Sequence, residues 1–190
     1  MLDGEPAERL VDRYKTAEDR VAVATAAKVT AAWDRLGSID RGEIAGFVAA
    51  VAPFLFAAKR STVTLAAAFY ALLLEIRPPV VPVETVAVDF ASDAAFTATW
   101  HALSEGRPYV EAVNAGRSAA DAAVHRYVTS VGRQTGGKVA ETAKHTGKWR
   151  RIPSAGACEF CVRVSGQLYY SIDSADFGHD RCKCTAVPAT

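Results

Sequence analysis

Cysteine is confined to one end of this chain. Its 190 residues include four cysteines, and none lies before Cys158. No uncharged run reaches the roughly 20 residues that a membrane helix needs, because Lys59 and Arg60 separate the two longest runs, 44–58 and 61–74. The N-terminus is charged and has no apolar segment, so we do not expect a secretory signal. These absences predict a chain that folds in the cytoplasm and does not enter a membrane.

A large excess of charge is also lacking. The net charge is +1, which gives no long-range attraction to nucleic acid or to anionic lipid. Residues 1–130 carry 13 basic and 16 acidic side chains, whereas residues 131–190 carry nine basic and five acidic ones. Any affinity for a polyanion is therefore expected to be weak and to lie at the C-terminal end.

Most of the chain up to residue 145 is rich in alanine and has apolar residues at helical spacing. Apolar side chains recur every three to four residues, as in helices that bury one face. Asp40 and Glu43 have the spacing of a capping box, which predicts the start of a helix. The predicted helices cover residues 5–36, 40–58, 61–76, 92–104, 108–133 and 138–145, with Pro53 kinking or breaking the second of them and a loop at 134–137.

The last forty residues have the pattern of short strands. Residues 150–153 are predicted to be extended, and residues 162–164 and 168–170 flank a Ser-Gly turn that predicts a hairpin. Residues 185–187 are a possible third short strand. A β-rich unit of about forty residues buries too little apolar surface to be stable alone. It therefore needs a cross-link.

All four cysteines and one histidine lie in this C-terminal unit. Cys158 and Cys161 have the spacing with which two thiolates bind one tetrahedral ion. Further donors return after a hairpin-sized gap, and thiolate and imidazole are the ligands that zinc favours. We therefore predict a structural Zn²⁺ ion. The favoured ligands are Cys158, Cys161, His179 and Cys182, with Cys184 as the main rival for one position.

Two alternatives stay open for the cysteines, which could form disulfides in a released particle or remain inert thiols. A catalytic zinc ion would need an open coordination position and an acid–base residue nearby, and Asp180 more simply orients His179 or solvates the turn. The predicted fold class is mainly α. A helical body over residues 1–148 is followed by a small C-terminal β-rich zinc-knuckle unit over residues 149–190.

Motifs of familiar enzyme chemistry are missing from the sequence. It has no G-x-S-x-G, no H-E-x-x-H and no phosphate-binding glycine loop. His125 and His145 are isolated on predicted helices. We therefore expect neither catalytic activity nor a small-molecule substrate. The alternative is a zinc module that binds DNA or cleaves it in the manner of an HNH nuclease.

A basic stretch directly precedes the cysteines. It consists of Lys148, Trp149, Arg150 and Arg151. The favoured interpretation is a solvated helix end with Trp149 packed against the zinc unit. Cations beside an aromatic ring that can stack on a base are also typical of nucleic-acid contacts, so weak contact with DNA is the alternative.

The tail resembles a known family. The segments "GKWRRIPSAGACEFC", "GQLYY" and "HDRCKC" are similar to the C-terminal signature of the Mu protein F-like (MuF-like) minor capsid proteins of tailed phages, and most of all to the variants in phages of actinobacteria. The specific motif covers residues 147–188. A looser likeness extends back over residues 106–148, and residues 1–105 match only in being alanine-rich and helical.

The resemblance implies a function for the chain. Proteins of that group are low-copy head components that lie inside the capsid or at the portal vertex and serve head assembly or DNA delivery. It implies a location in the virion, binding to the portal protein, the major capsid protein or both, and weak contact with packaged DNA.

Overall fold

The computed structural model describes residues 7–84, 89–153, 157–172 and 184–189. This part of the chain is mainly helical and ends in a small three-stranded sheet, which confirms the predicted mainly α class. The elements in chain order are α1 (Ala7–Trp33), α2 (Arg41–Leu73), α3 (Asp89–Ser104), α4 (Tyr109–Thr142), β1 (Trp149–Pro153), α5 (Glu159–Val164), β2 (Leu168–Tyr169) and β3 (Cys184–Pro188).

α2 is one helix where the sequence predicted two. Pro53 lies inside it on an exposed position and removes one backbone donor. Val51 and Leu55, on either side of the proline, are both fully buried. Because these side chains lie on the face turned to the core, their burial outweighs the missing hydrogen bond and the helix continues.

α4 likewise runs through the predicted loop at 134–137, so that prediction is wrong. The loop was predicted from Gly136 and Gly137, which are frequent in turns. In the fold Gly136 lies inside the helix, directly against the ring of Tyr70. Gly136 therefore allows α4 to pack closely against Tyr70 and does not mark a turn.

The predicted hairpin of 162–164 with 168–170 is also wrong. The first of these segments belongs to α5, and only Leu168–Tyr169 forms a strand. The extended stretch at 150–153 forms most of β1, and the third strand expected at 185–187 is confirmed as β3. β1 is the central strand and pairs antiparallel with both neighbours, in the order β2-β1-β3.

The chain divides into two compact units. Unit 1 consists of Met1–Arg20, Ser61–Val83 and Thr129–Thr190, and unit 2 of Val21–Arg60 and Glu84–Val128. The units are defined by packing and not by chain order, so α1, α2 and α4 each contribute residues to both units. The proposed division of the chain between residues 148 and 149 stays a prediction.

The core of unit 1 joins helices and sheet. Tyr14 on α1 stacks on Phe69 of α2 with ring centroids 4.3 Å apart. Tyr70 lies beside Trp149 of β1, with a centroid distance of 6.3 Å, and its hydroxyl donates to the Ala186 carbonyl of β3 at 3.1 Å. The small sheet therefore shares its buried surface with α1 and α2.

The core of unit 2 is built around Trp33. Its ring makes edge contacts with Phe47 and Phe96, with centroids 5.6 and 5.1 Å away. Its indole N–H donates to the carbonyl of Val113 at 3.1 Å, which leaves the buried indole nitrogen satisfied.

One described helix, α2 between Gly42 and Leu73, is long and apolar enough by length and composition to cross a membrane. Core helices of soluble proteins pass the same test. The prediction that the chain does not enter a membrane stays a prediction.

Candidate metal centre

Two of the predicted metal ligands meet inside unit 1. Cys161 on α5 and Cys184 at the start of β3 are both buried, and their Sγ atoms lie 3.6 Å apart. Cys184 reaches this place because it pairs across the sheet with Pro153, the last residue of β1. α5 begins a few residues after β1 ends, which places Cys161 near the same end of the sheet as Cys184.

Cys158 lies one helical turn before Cys161 and caps α5. Its backbone is extended, with φ −71° and ψ 161°, and its Sγ accepts the backbone N–H of Cys161 at 3.5 Å. Residues three apart on a helix share one side, so the first thiol lies on the side of the second. Cys158 is exposed, whereas Cys161 is fully buried.

The separation of the two buried sulfurs fits two ligands of one metal ion and also a direct contact between two thiols, but not a disulfide. A disulfide would bring the sulfurs to about 2.05 Å, far closer than the observed 3.6 Å. Two sulfurs that each lie about 2.3 Å from a tetrahedral zinc ion are separated by about 3.8 Å. The N–H···S hydrogen bond from Cys161 to Cys158 is also of the kind that supports a ligating sulfur from outside the ligand shell.

The remaining predicted ligands cannot be placed. His179 and Cys182, and with them Asp180, lie outside the described residues. Within the described ranges, no group of three or more His, Cys, Asp or Glu side chains is arranged to hold a metal ion. The choice between His179 and Cys184 as the fourth ligand therefore stays open, although Cys184 is close enough to Cys161 to share an ion.

The basic stretch before the cysteines is largely buried. Trp149 is only 3 % exposed and meets the edge of His145, with centroids 5.2 Å apart. Arg151 is 2 % exposed. Lys148 is exposed and holds its Nζ over the ring of Tyr170, 5.5 Å from the centroid.

This burial limits which of those side chains could contact DNA. Stacking on a base requires an open ring face, and the Trp149 ring lies in the core of unit 1. The favoured interpretation, a packed Trp149, describes its surroundings better, although the ring packs against Tyr70 and His145. Contact with DNA stays a prediction that rests on Lys148 and on the half-buried Arg150.

Sequence reasoning missed that Arg151 is buried. β1 alternates its side chains between two faces, and Arg151 shares its face with Trp149 and Pro153. Pro153 is the partner of Cys184 in the sheet. The alternation in "WRRIP" was the available signal, but the pairing of β1 with β3 was needed to locate the arginine.

Comparison with known proteins gives one family. Residues 5–190 match the family described as VG15 protein. No protein with a curated description and no solved structure matches the chain. VG15 is a phage-associated family, which suggests a phage-encoded protein. Since the match spans almost every residue, the chain belongs to the VG15 protein family.

Proposed function

We propose that the chain is a structural minor capsid protein of a tailed bacteriophage. It acts in head assembly near the portal, is carried in the virion and binds the portal protein, the major capsid protein or both. It performs no catalysis. The phage-associated family supports the phage origin, and the MuF-like signature over residues 147–188 supports the head-protein role.

The observation that carries this proposal is the approach of Cys161 and Cys184. Both cysteines belong to the signature, and the fold brings their sulfurs within 3.6 Å although they are 23 residues apart. A pattern shared with minor capsid proteins is thus matched by a contact in three dimensions, as expected if the pattern encodes a structural site.

We further propose that these thiols hold a structural zinc ion. Cys161 and Cys184 would bind it, together with two of Cys158, His179 and Cys182. When bound, the ion supplies a cross-link, worth on the order of 10 kcal/mol in small zinc units. The cross-link joins α5 to β3, an edge strand of the sheet.

The role in the head is tested by following the protein in phage particles. An epitope-tagged copy is expressed during growth of the parent phage, and procapsids and mature virions are purified and examined by mass spectrometry. We expect a few copies per particle and cross-links to the portal or major capsid protein. Absence from both particles would overturn the proposal.

Two controls sharpen this experiment. The Cys161→Ser/Cys184→Ser variant should enter particles poorly, whereas Val162→Ala, which changes an exposed side chain of α5, should enter normally. The purified protein is also incubated with DNA and Mg²⁺. Cleavage of DNA there would favour an HNH-like nuclease over a structural part.

A further inference from the structure

Tyr170 presents an exposed aromatic ring beside a lysine. The residue is 86 % exposed, and the Nζ of Lys148 lies 5.5 Å from the ring centroid. A cation at this distance is attracted by the electrons of the ring face. The contact holds the lysine next to the ring, while most of the ring stays open to a flat partner.

Two further residues share a side of the sheet with this pair. Arg150 and Leu168 are direct partners in the pairing of β1 with β2. Lys148 continues the ladder of β1, because its carbonyl accepts the backbone N–H of Ala189 at 2.8 Å. Residues two apart along an extended chain lie on the same side, so Lys148 shares a side with Arg150. Tyr170 follows Leu168 by two residues and lies there too, and we call these four residues the basic face.

The basic face carries positive charge without a nearby negative charge in the sheet. Arg150 is half-buried, and its Nε has no hydrogen-bond partner in the described part of the chain. None of the three strands contains an acidic residue. Residues 131–190 carry nine basic and five acidic side chains. A polyanion that approaches this face therefore meets two cations and an open ring.

This combination fits single-stranded nucleic acid better than other polyanions. Unpaired bases stack on exposed aromatic side chains, while lysine and arginine neutralise the phosphates. The bases of a duplex are already stacked on one another and do not reach a single ring. An acidic polypeptide supplies negative charge but no base. The exposed ring is therefore the feature that decides between these ligands.

We propose that the basic face binds single-stranded nucleic acid. Tyr170 stacks on a base, and Lys148 and Arg150 contact the phosphates. Trp149, the ring that the sequence offers for this role, lies in the core of unit 1. Binding does not depend on base sequence, because neither the ring nor the cations read a base edge. The inference goes beyond the proposed role in the head and needs no metal ion.

The test measures binding of the full-length protein to a fluorescent oligothymidine by anisotropy at several salt concentrations. Thymine bases do not pair with one another, so this probe stays single-stranded. We expect a micromolar dissociation constant at low salt that rises as salt is added. Tyr170→Ala should raise this constant by about 5- to 100-fold, which corresponds to one lost stacked base. Tyr170→Phe keeps the ring and should stay within about twofold of the parent.

Two lysine variants test the contact with phosphate. Lys148→Gln should weaken binding and reduce the slope of log affinity against log salt by about 0.7. Lys28→Gln is the matched control, because Lys28 is also exposed and its Nζ lies 5.2 Å from the ring centroid of Phe54 in unit 2. This control should leave the dissociation constant within about twofold of the parent.

Two other ligands distinguish the possible partners. Tyr170→Ala should change the affinity for a DNA duplex by less than about twofold, because duplex bases are not free to stack. Polyglutamate should displace the labelled oligothymidine much less effectively than unlabelled oligothymidine does. Equal displacement by both competitors would overturn the proposal and indicate an acidic protein partner.

Two results with the oligothymidine itself would also overturn the proposal. One is a folded parent protein that does not bind the probe. The other is an unchanged affinity in Tyr170→Ala, since stacking would then contribute nothing. Both altered side chains are exposed, so Tyr170→Ala and Lys148→Gln should keep the unfolding temperature of the parent, which circular dichroism checks.

Discussion

Asp40 shows how one side chain fixes the start of a long helix. Its Oδ1 accepts the backbone N–H groups of Gly42 and Glu43, and its Oδ2 accepts the hydroxyl of Ser38. This confirms the helix start predicted from the capping pattern. The hydrogen bond from Ser38, followed by those from the backbone, lowers the pKa of the Asp40 carboxyl.

The lowered pKa of Asp40 predicts a pH-dependent cap. The folded state prefers the ionised carboxylate, so the stabilisation is present above the ordinary aspartate pKa of about 3.9 and is lost as the pH falls through the lowered value. Asp40→Ala should lower the thermal unfolding temperature at pH 7, and the difference from the parent should shrink in acid. Circular dichroism melts from pH 2 to 7 measure this.

Asp40→Asn is the control for the cap. Asparagine caps helices about as well as aspartate but does not titrate. Its advantage over Asp40→Ala should therefore stay constant with pH. If the parent keeps its full advantage over Asp40→Ala at pH 2, the charged carboxylate is not what caps α2.

Tyr127 in unit 2 has a buried hydroxyl group, and its burial changes the pKa of the side chain. Its ring stacks on Phe90 with centroids 4.7 Å apart. Its hydroxyl oxygen is buried and has no hydrogen-bond partner in the described part of the chain. Desolvation by burial raises the pKa of this phenol to about 12.

Tyr127→Phe should therefore stabilise the protein most in alkali. The raised pKa means that stability is complete below the ordinary tyrosine pKa of about 10 and is lost as the pH rises toward the folded value. At pH 7 the change should be neutral or stabilising by up to about 1 kcal/mol, because an unsatisfied hydroxyl is removed. Urea unfolding at pH 7 and pH 10.5 measures both effects.

Tyr109→Phe, which changes an exposed ring, is the control. An equal gain in stability at alkaline pH in Tyr109→Phe would refute the explanation.

At the scale of elements, α4 depends on glycines that permit close contact. A Cβ atom at Gly136 would lie 2.4 Å from Cε2 of Tyr70, which is a severe overlap. A Cβ atom at Gly137 would lie 3.5 Å from Ile172, an ordinary contact. Adjacent glycines of the same helix thus have opposite roles.

This contrast gives a paired prediction. Gly136→Ala should destabilise the protein by about 1–3 kcal/mol, as overpacking of a core does. Gly137→Ala should be neutral or stabilising by up to about 1 kcal/mol, since alanine favours the helix. Urea unfolding of both variants measures the difference, and equal effects would mean that the contact with Tyr70 does not constrain α4.

The wrong predictions of local structure share a physical cause. Pro53 and Gly136 disfavour helix locally, and burial against partners far along the chain overrides them. Val162 and its neighbours have strand propensity, but the cap formed by Cys158 starts a helix there. Periodicity and capping therefore predict the long helices. The secondary structure of the wrongly predicted segments depends on contacts between residues far apart in the chain, which the local sequence does not reveal.

At the scale of the whole molecule, the sequence grouped the cysteines but did not show what surrounds them. The sulfurs of Cys161 and Cys184 lie 3.6 Å apart, although Cys184 was only the rival ligand, and the metal site itself stays a prediction. The packing of Trp149 against Tyr70 does not follow from any local pattern, because it joins β1 to α2. The sheet is therefore part of the core of unit 1, so unfolding of the sheet should destabilise the helices that pack against it.

This shared core predicts a broad effect of the metal. Cys161→Ser/Cys184→Ser should destabilise unit 1 by several kcal/mol, because the cross-link between α5 and β3 is lost. Strong chelators should affect the parent in the same way and leave the double variant unchanged. Differential scanning calorimetry with and without chelator checks both statements, and a parent indifferent to chelator would contradict them.

The most direct test is the zinc content of the full-length protein, purified under reducing conditions and measured by elemental mass spectrometry. We predict about one zinc ion per chain, and almost none in Cys161→Ser/Cys184→Ser. A metal-free protein whose C-terminal sheet is nevertheless ordered by NMR would contradict the account.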